Sequence, residues 1–505
     1  MHQPTHAPPG PASDAPVLGA GHVDVLVVGA GVSGIGSAVH LRMQHPELSF
    51  AILEAKAEIG GTWVTHRYPG IRSDTDLYTY GYRFKPWTGP PLATAAEIRA
   101  YLGEIVAEHG LAPRLRLRHR VTAARWSSAD KAWTVEATRE EDGARLAFTT
   151  GFLWMCQGYY RHDRGYMPDW PGMDGFAGRI VHPQDWPSDL DLAGRRVVVV
   201  GSGATAATLV PAIAGACAQV TVLQRSPSYY RIGRNAVPIA DELRALGIDE
   251  AWIHEIVRRR ILADVHGFHR RTFEEPEKVR EEMLASIRRH LSSDALVAEH
   301  FTPRYRPWQQ RMVFVPDADL FRQVEAGRVT MVTDEVERFE RAGIRTRSGR
   351  LLEADIVVAA TGFDLCAFGD IPFEVDGRAV HWPDTVTYRG MMFTGVPNLA
   401  WIFGYLRASW TLRSDMVGDF VCRLLAHMRA TGLRQVTPTL RPEDRDMPRL
   451  PFVDPENFSA GYVLRGQHVL PRRGDRPEWQ HLHDYWQEKD QLPAIDLRDP
   501  AFAWS

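Results

Sequence analysis

Cysteine is scarce in this sequence, which has four cysteines among 505 residues. They stand far apart, at positions 156, 217, 366 and 422, so the chain has no CxxC pair and no local cysteine cluster for a metal. This spacing excludes a redox-active cysteine pair, and the low number is typical of a reduced, cytoplasmic protein. With 44% apolar and 24% charged residues, the composition is that of a globular chain of about three domains.

An excess of charge of one sign is also missing, because 59 Lys and Arg face 62 Asp and Glu for a net charge of -3. This balance argues against a nucleic acid as a partner. Residues 1–21 are rich in Pro, Ala and Gly without a basic start, so they predict a disordered tail and not a signal peptide. The uncharged run Val197–Gln224 is interrupted by glycines and a proline, so it predicts a buried strand and a turn, not a transmembrane segment.

The first strong pattern is a strand, a glycine-rich turn, a helix and a second strand that ends in an acid. Gly29 permits a tight turn, Gly31 lets the backbone approach a pyrophosphate, and Gly34 allows the helix to pack closely on the strand. Glu54 can then accept hydrogen bonds from both ribose hydroxyls, which predicts a site for an unphosphorylated ribose, as in FAD. The parts of this unit are the strand Val23–Val28, the turn Gly29–Gly34, a helix to about Met43, the strand Phe50–Leu53 and Glu54.

A second unit repeats this design but lacks the acid. Gln224 stands at the end of its second strand and Arg225 follows directly. Without a carboxylate there is no repulsion of a 2′-phosphate, and a guanidinium can pair with it, so this unit predicts an NADPH site. The parts are the strand Val197–Val200, the turn residues Gly201, Ser202, Gly203, Ala204, Thr205 and Ala206, and the strand Val220–Leu223.

The remaining segments predict an α/β protein with two interleaved Rossmann-type domains. Strand-like runs at Leu115–Val121, Trp133–Thr138 and Leu146–Leu153 predict a small meander, and the hydrophobic run Ala354–Asp364 predicts a strand that returns the chain to the first unit. The residues after about 430 are expected to wrap the surface. The expected domains are 22–160 with 361–505 for FAD, 161–225 with 305–360 for NADPH, and a helical insertion at 226–304.

Two dinucleotide units leave three classes of enzyme open: disulfide reductases, amine oxidases and flavin monooxygenases. The cysteine spacing excludes the first. The segment Phe176–Pro187 then matches FxGxxxHxxxW followed by proline, through Phe176, Gly178, His182 and Trp186. With this fingerprint the chain resembles the type I Baeyer–Villiger monooxygenases. Related flavin monooxygenases that oxidise nitrogen or sulfur usually carry Tyr or Phe where this chain has Trp186.

Further motifs extend the resemblance over about residues 22–470, and they are similar to the ethionamide-activating branch of that family. These motifs are Gly60–Trp63, Arg67–Tyr78, Arg83–Trp87 and Ser409–Leu412. The resemblance implies contacts with FAD at Ser33, Glu54, Thr62, Trp63 and Asp74, with Val121 at the adenine end, and contacts with NADPH at Arg72, Ser73, Gly201–Ala206, Gln224 and Arg225.

The resemblance also places Arg311 at the active-site arginine of the family. Many relatives carry Lys before this arginine to help bind the 2′-phosphate, but this chain has Gln310, so Arg225 must carry more of that contact. In the implied reaction NADPH reduces FAD, and the reduced flavin traps O2 as a C4a-peroxide that attacks a ketone to give an ester or lactone. A fixed cation stabilises the anions that form, and Asp74 is expected to orient Arg311 through a charge-assisted pair.

Three functions remain open from the sequence. The leading one is Baeyer–Villiger oxygenation of a small-molecule ketone, with sulfoxidation of sulfides as a natural second activity. The others are a monooxygenase that acts mainly on sulfides or amines, and a flavin-binding redox protein without turnover. Neither the natural substrate nor the oligomeric state follows from the sequence, and no metal site is expected.

Overall fold

The computed structural model describes residues 18–505, and its main strands form two separate sheets. The turn that starts at Gly29 follows a strand of the first sheet, and the turn that starts at Gly201 follows a strand of the second. Each turn leads into a helix on the face of its own sheet. The predicted α/β class with two Rossmann-type units is confirmed.

The first sheet has nine strands and carries the first glycine turn. Val25 and Val27 pack into a hydrophobic cluster on one face, whereas Leu26 and Val28 pack into another on the opposite face. Because both faces are covered at this end of the strand, Val25–Val28 is a continuous hydrophobic run without polar alternation. In spatial order the strands are Arg378–Ala379, Phe373–Val375, His119–Ser127, Ala132–Arg139, Arg145–Met155, Leu18–Val28, Phe50–Leu53 and Leu115–Arg116, and Leu399–Trp401 also pairs with Arg145–Met155.

The second sheet has five strands, all parallel. Its valines divide in the same way, with Val197 and Val199 on the face of the helix that follows the turn and Val198 and Val200 on the other. The uncharged run thus begins with a buried strand and a turn, as predicted, and continues into the helix Ala204–Ile213 and the strand Gln219–Gln224. In spatial order the strands are Val329–Thr333, Gln219–Gln224, Arg196–Val200, Ile356–Ala359 and Arg179–Val181.

The α-helices and the smaller sheets complete the fold. The α-helices are Val32–Gln44, Thr62–Thr65, Leu77–Tyr80, Ala95–Glu108, Ala204–Ile213, Pro238–Ala245, Glu250–Glu274, Pro276–Arg288, Asp294–His300, Asp319–Glu325, Trp410–Thr431, Gly461–Gly466 and Tyr485–Gln491. The small sheets are Val336–Glu340 with Gly343–Thr346 and Leu351–Glu353, Tyr230–Gly233 with Val313–Pro316, Thr387–Tyr388 with Met392–Phe393, Val436–Pro438 with Phe502–Trp504, and Leu450–Pro451 with Arg472–Arg473. Among residues 18–505, no helix is both long and apolar enough to cross a bilayer.

Two expectations at the chain's early segments need correction. The tail was expected to reach residue 21, but Leu18–Val28 is one strand, because its first residues pair with Leu146–Phe148 across a register shift; residues 1–17 lie outside the described part. The predicted strand Leu115–Val121 is divided at Arg118, whose φ is 58°. Leu115–Arg116 pairs with Phe50–Leu53, and His119–Ser127 begins the meander.

Three later segments also differ from expectation. The segment 226–304 is not wholly helical, because Tyr230–Gly233 pairs with Val313–Pro316. The strand Ile356–Ala359 lies in the second sheet beside Arg196–Val200, so the return to the first sheet is made by later residues. The C-terminal region does more than wrap the surface, since Phe452 and Trp479 are fully buried at 0% exposure.

Candidate active site

Residues of both glycine turns line one cleft of about 1560 Å³. It lies where the carboxyl ends of the parallel strands meet the helix N-termini, which is where open α/β sheets bind ligands. Most of the predicted site residues line it: Gly29, Gly31, Ser33, Glu54, Thr62, Trp63, Arg72, Ser73, Asp74, Val121, Gly201, Ser202, Gly203, Ala204, Thr205, Arg225 and Arg311.

In the first turn, backbone atoms lie too close to two of the glycines for any other residue to fit. Gly29 has a φ of 103°, and a Cβ there would stand 2.7 Å from the carbonyl oxygen of Cys156. A Cβ on Gly34 would stand 1.8 Å from the carbonyl oxygen of Gly29, so the helix meets the turn at a distance that only glycine permits. Gly31 is the N-cap of this helix, and no side chain from residues 18–505 caps it. Its first N–H groups therefore remain available to a ligand in the cleft.

Glu54 is anchored behind this turn. Its Oε2 accepts a hydrogen bond from the backbone N–H of Ala30 at 2.7 Å, and its Oε1 accepts one from the N–H of Lys56 at 2.8 Å. Burial raises the pKa of this carboxyl, and the two N–H donors oppose that rise. A carboxylate offers about four lone-pair sites, so two remain for hydroxyl donors on the cleft side.

The second turn has the same form with one substitution. Gly201 has a φ of 125°, and a Cβ there would stand 2.3 Å from the carbonyl oxygen of Ala360. Ala206 replaces the third glycine and is buried on the helix, away from the cleft. Gly203 is the N-cap of that helix; within the described residues it has no side-chain cap, and a Cβ there would meet no atom within 4 Å. The backbone at Gly203 is thus open to a ligand.

The side chain of Gln224, which ends this unit's second strand, and that of Arg225, which follows it, lie in different surroundings. Arg225 lines the cleft, but Gln224 is 1% exposed and points away from it. The Gln224 amide donates to the carbonyl oxygen of His300 at 2.6 Å and to Oγ1 of Thr333 at 2.9 Å. The Gln224 side chain therefore does not line the cleft, contrary to its predicted contact with NADPH, and its amide instead links the strand to the helical segment.

The expected pair of Arg311 and Asp74 is present at the cleft wall. Arg311 Nε donates to Oδ2 of Asp74 at 2.7 Å, and its NH2 donates to Oδ1 at 2.6 Å. Burial raises the pKa of Asp74, but the charge and hydrogen bonds of Arg311 outweigh it, so the net shift is downward. The carboxylate in turn raises the pKa of Arg311 against the effect of burial. Both groups therefore stay ionised.

Arg72 and Ser73 precede this aspartate and are engaged within the protein. Arg72 NH2 donates to Oδ2 of Asp319 at 2.7 Å, which ties the loop to a helix beside the second sheet. The Ser73 hydroxyl donates to the carbonyl oxygen of Thr75 at 2.6 Å. These bonds fix the loop that carries Asp74.

An aromatic wall, which we define as Trp63, Tyr80, Tyr159, Tyr160 and Trp410, faces the cleft beside the ion pair. The Tyr160 hydroxyl is 2.8 Å from Oγ1 of Thr62, and the Trp63 indole donates to the hydroxyl of Tyr80 at 3.0 Å. The Trp410 indole donates to Oγ of Ser33 at 2.8 Å and its ring stacks on Tyr159.

Sequence reasoning missed Tyr159 and Tyr160. The available signal was their position, because they follow Arg145–Met155, whose neighbour Leu18–Val28 carries the first turn. Residues after the carboxyl ends of adjacent parallel strands meet at the same edge of a sheet.

The fingerprint residues lie outside the cleft and fix the chain where it passes between the sheets. Phe176 is buried against Phe339, with ring centroids 5.7 Å apart. A Cβ on Gly178 would stand 2.3 Å from the carbonyl oxygen of Asp355. His182 accepts a hydrogen bond at Nδ1 from the N–H of Gln184 at 3.1 Å, and Trp186 packs on the core of the second sheet. Their geometry supports a structural contribution.

Two α/β units that present open helix N-termini to one cleft define an oxidoreductase of the type that binds two dinucleotides. Residues 23–266 match the family described as pyridine nucleotide-disulphide oxidoreductase. The four cysteines are unpaired, so the match concerns the nucleotide-binding fold and not a disulfide centre.

Full-length relatives narrow the class. The FAD-containing monooxygenase EthA of Mycobacterium tuberculosis is 43% identical, covering 92% of this chain and 94% of the relative. The putative FAD-containing monooxygenase MymA of the same organism is 42% identical, covering 95% and 96%. The probable FAD-binding monooxygenase AlmA of Acinetobacter baylyi is 40% identical, covering 95% of each chain. The chain therefore belongs to the FAD-containing monooxygenases, and the family predicted from the motifs is confirmed.

Solved structures share the fold at lower identity. A steroid monooxygenase bound to NADP superimposes with a TM-score of 0.75 at 24% identity, over 96% of this chain and 99% of that one. OTEMO in complex with FAD and NADP gives a TM-score of 0.74 at 22% identity over the same shares.

Proposed function

We propose that this monooxygenase uses FAD, NADPH and O2 to insert one oxygen atom into a ketone, giving an ester or lactone, and that it also oxidises sulfides. The observation that carries the proposal is the bidentate pair of Arg311 and Asp74 at the wall of a cleft shared by two dinucleotide-type turns. Such a cation is what an oxygenation through anionic species requires near the reacting atoms.

The first turn fits FAD. The uncapped N-terminus of Val32–Gln44 offers N–H groups to a pyrophosphate, and the closed glycine turn lets the backbone approach it. Glu54 has lone pairs left for ribose hydroxyls, and Val121 borders the cleft at the adjoining strand. On this assignment the first sheet and residues 22–160 with 361–505 form the FAD domain.

The second turn fits NADPH. The N-terminus of Ala204–Ile213 is uncapped, the backbone at Gly203 is open, and Arg225 borders the cleft without an acid at the strand end. The guanidinium of Arg225 would pair with the 2′-phosphate, while Arg72 and Ser73 lie on the loop nearer the ion pair. Residues 161–225 with 305–360 would form this domain.

The flavin, when bound, supplies hydride acceptance and O2 activation. The residues of the chain supply position and charge. Arg311 stabilises negative charge that develops on the reacting oxygens, and Asp74 holds its guanidinium in one orientation. With the cofactors bound, the aromatic wall would help to exclude water from the reacting atoms, which strengthens the field of the cation.

Product analysis tests the proposal. Purified holoenzyme is supplied with NADPH and a panel of linear, cyclic and aryl ketones together with bulky aryl sulfides, and the products are identified by mass spectrometry. Esters or lactones, formed with one equivalent of NADPH, support the proposal. Sulfoxides without any ester would instead assign the chain as a heteroatom monooxygenase. Failure of every substrate to accelerate NADPH consumption would favour a redox protein without turnover.

A further inference from the structure

A second, smaller cavity of about 140 Å³ shares a wall with the cleft. Leu406 lines both spaces, and Arg407, the next residue, lines only the smaller one. The other polar residues around this space are Asp454, Asn457, Arg473, Gln480, His481 and His483. None of these residues is needed for the proposed oxygenation.

Buried polar atoms without partners are concentrated here. Among residues 18–505, NH1 of Arg407 and both ring nitrogens of His481 and His483 are buried and have no hydrogen-bond partner. Arg407 is 7% exposed, His481 4% and His483 8%. Buried polar atoms are almost always satisfied in folded proteins, and each one left without a partner is destabilising. Three of these five atoms are donors, because Arg407 NH1 and one nitrogen of each neutral imidazole carry a hydrogen, so the cavity can bind a guest that accepts hydrogen bonds.

Arg407 also has no ion-pair partner in the described part of the chain. The two acids whose charge acts on it, Asp454 and Asp484, bind other groups. Asp454 pairs with Arg473 at 3.3 Å and accepts from the Asn457 amide at 3.1 Å. Asp484 caps the helix Tyr485–Gln491 through bonds from the N–H groups of Trp486 and Gln487.

The surroundings of Arg407 add positive charge instead. Burial lowers the pKa of Arg407 to about 10, and the charge of Arg306 adds to the decrease, whereas the charges of Asp484 and Asp454 oppose it with smaller effects. Burial and the neighbouring arginines hold the pKa of His481 and His483 well below the usual range, so both rings are neutral and each offers one N–H. A buried cation without an ion-pair partner is costly. Water in the cavity would satisfy hydrogen bonds but would not neutralise this charge.

We propose that this cavity is a binding site for a small oxyanion, such as sulfate, phosphate or a carboxylate, held by the guanidinium of Arg407 and the ring N–H groups of His481 and His483. Planar and tetrahedral oxyanions match a guanidinium and accept several N–H donors at once. Because the carbonyl oxygen of Leu406 accepts a hydrogen bond from NH1 of Arg311 at 3.5 Å, the occupied site would brace the segment beside the active-site pair.

The test is thermal unfolding of the purified holoenzyme in sodium sulfate or sodium acetate, with sodium chloride keeping ionic strength constant. A ligand of the native state raises the melting temperature by mass action and then saturates, whereas exclusion of salt from the surface gives a rise that does not saturate. We expect a saturable rise of about 1–2 °C or more with at least one of the two anions. The anion that acts at lower concentration identifies the chemical class.

Two variants assign the effect to this cavity. Arg407→Gln should abolish the saturable rise and, without the anions, should melt at or above the wild-type temperature, because a buried charge without an ion-pair partner has been removed. His483→Phe keeps the ring volume and should raise the midpoint concentration roughly tenfold by removing a charge-assisted donor. Arg225→Gln, which alters the large cleft, should keep the wild-type response, and Arg139→Gln controls for loss of an exposed arginine.

The results separate the alternatives. A saturable rise that persists unchanged in Arg407→Gln and in His483→Phe, or its absence in the wild type with both anions, would overturn the proposal and leave the cavity to water. A rise lost only in Arg225→Gln would also overturn it, because the anion would then sit in the large cleft.

Discussion

Arg311 and Asp74 lie 237 residues apart in the chain and form a bidentate ion pair at the wall of the cleft. Asp74 belongs to a loop after the first dinucleotide unit, and Arg311 precedes the strand Val313–Pro316, which follows the helical segment. Two parallel N–H to oxygen bonds fix the plane of the guanidinium as well as its position. One-third of the Arg311 side chain remains exposed, at 34%, and among residues 18–505 NH1 makes only the long contact with the Leu406 carbonyl oxygen at 3.5 Å.

Arg311→Ala should abolish ketone oxygenation while FAD stays bound. Removing one positioned donor from a site shielded from water predicts a loss of about 100-fold or more in kcat/KM. Arg311→Lys should restore little, because a point charge on a flexible stem cannot reproduce two parallel bonds to Asp74. The measurement is ester formation by gas chromatography, with flavin absorbance as the control for binding. Near wild-type conversion by Arg311→Ala would refute the assigned role.

Asp74→Asn should leave the fold intact and weaken the orientation of Arg311. The amide keeps the shape of the carboxylate but can accept at only one atom, so one of the two charge-assisted bonds is lost. We expect kcat to fall by about tenfold or more with a smaller change in KM for the ketone. Equal losses in kcat and in flavin content would show instead that Asp74 acts mainly by holding FAD.

Arg225→Ala should reduce the preference for NADPH over NADH. The wild type is expected to prefer NADPH by at least about tenfold, or roughly 1.4 kcal/mol. Removing the guanidinium should lower kcat/KM for NADPH and leave that for NADH nearly unchanged, because only the former carries a 2′-phosphate. Steady-state consumption of each coenzyme at 340 nm measures the ratio. An unchanged ratio would show that another group recognises the phosphate.

Local patterns predicted the two dinucleotide units because their physical causes are local. A parallel strand covered on both faces must be apolar throughout, and Gly29 and Gly34 stand where any Cβ would collide with backbone. The pair of Arg311 and Asp74 could be predicted only from the resemblance to a family, because neither local sequence indicates that the other residue lies beside it.

The sequence alone does not predict features that depend on contacts with residues far away in the chain. Tyr230–Gly233 becomes a strand because Val313–Pro316 lies beside it, and Gln224 turns from the cleft because His300 and Thr333 accept its amide. The burial of Trp479 likewise depends on Asp444, which accepts from its indole at 2.8 Å. None of these contacts has a signature in the short segments that make them.

Gly34→Ala should destabilise the protein and reduce its flavin content. The new Cβ would stand 1.8 Å from the carbonyl oxygen of Gly29, which is backbone, so the helix Val32–Gln44 must shift. We expect a loss of about 3 kcal/mol or more in the free energy of unfolding.

Gly103→Ala is the matched control. Gly103 lies within the helix Ala95–Glu108, and a Cβ there would meet no atom of the described residues within 4 Å. That change should stabilise by about 0.5–1 kcal/mol. Similar melting temperatures for the two variants would contradict the tight turn.

His40 should make stability depend on pH. Burial lowers the pKa of its ring, but the hydrogen bonds and charges of Asp415 and Asp419 outweigh burial, so the net shift is upward. His40 Nε2 lies 3.1 Å from Oδ1 of Asp415 and joins the helix Val32–Gln44 to Trp410–Thr431. Because the folded state binds the proton more tightly than the unfolded chain, the pair stabilises fully below the ordinary histidine pKa of about 6.5. That contribution is lost as pH rises through the folded-state pKa.

His40→Gln should therefore lower the melting temperature more at pH 6 than at pH 9. The variant keeps a polar side chain but removes the titrating ring, so the difference from wild type should shrink steadily as pH increases. Scanning calorimetry across this range measures it, with His22→Gln as a control for replacing an exposed histidine outside the pair. A difference that stays constant, or grows toward pH 9, would mean that the ring is neutral in the folded state and that packing alone accounts for its contribution.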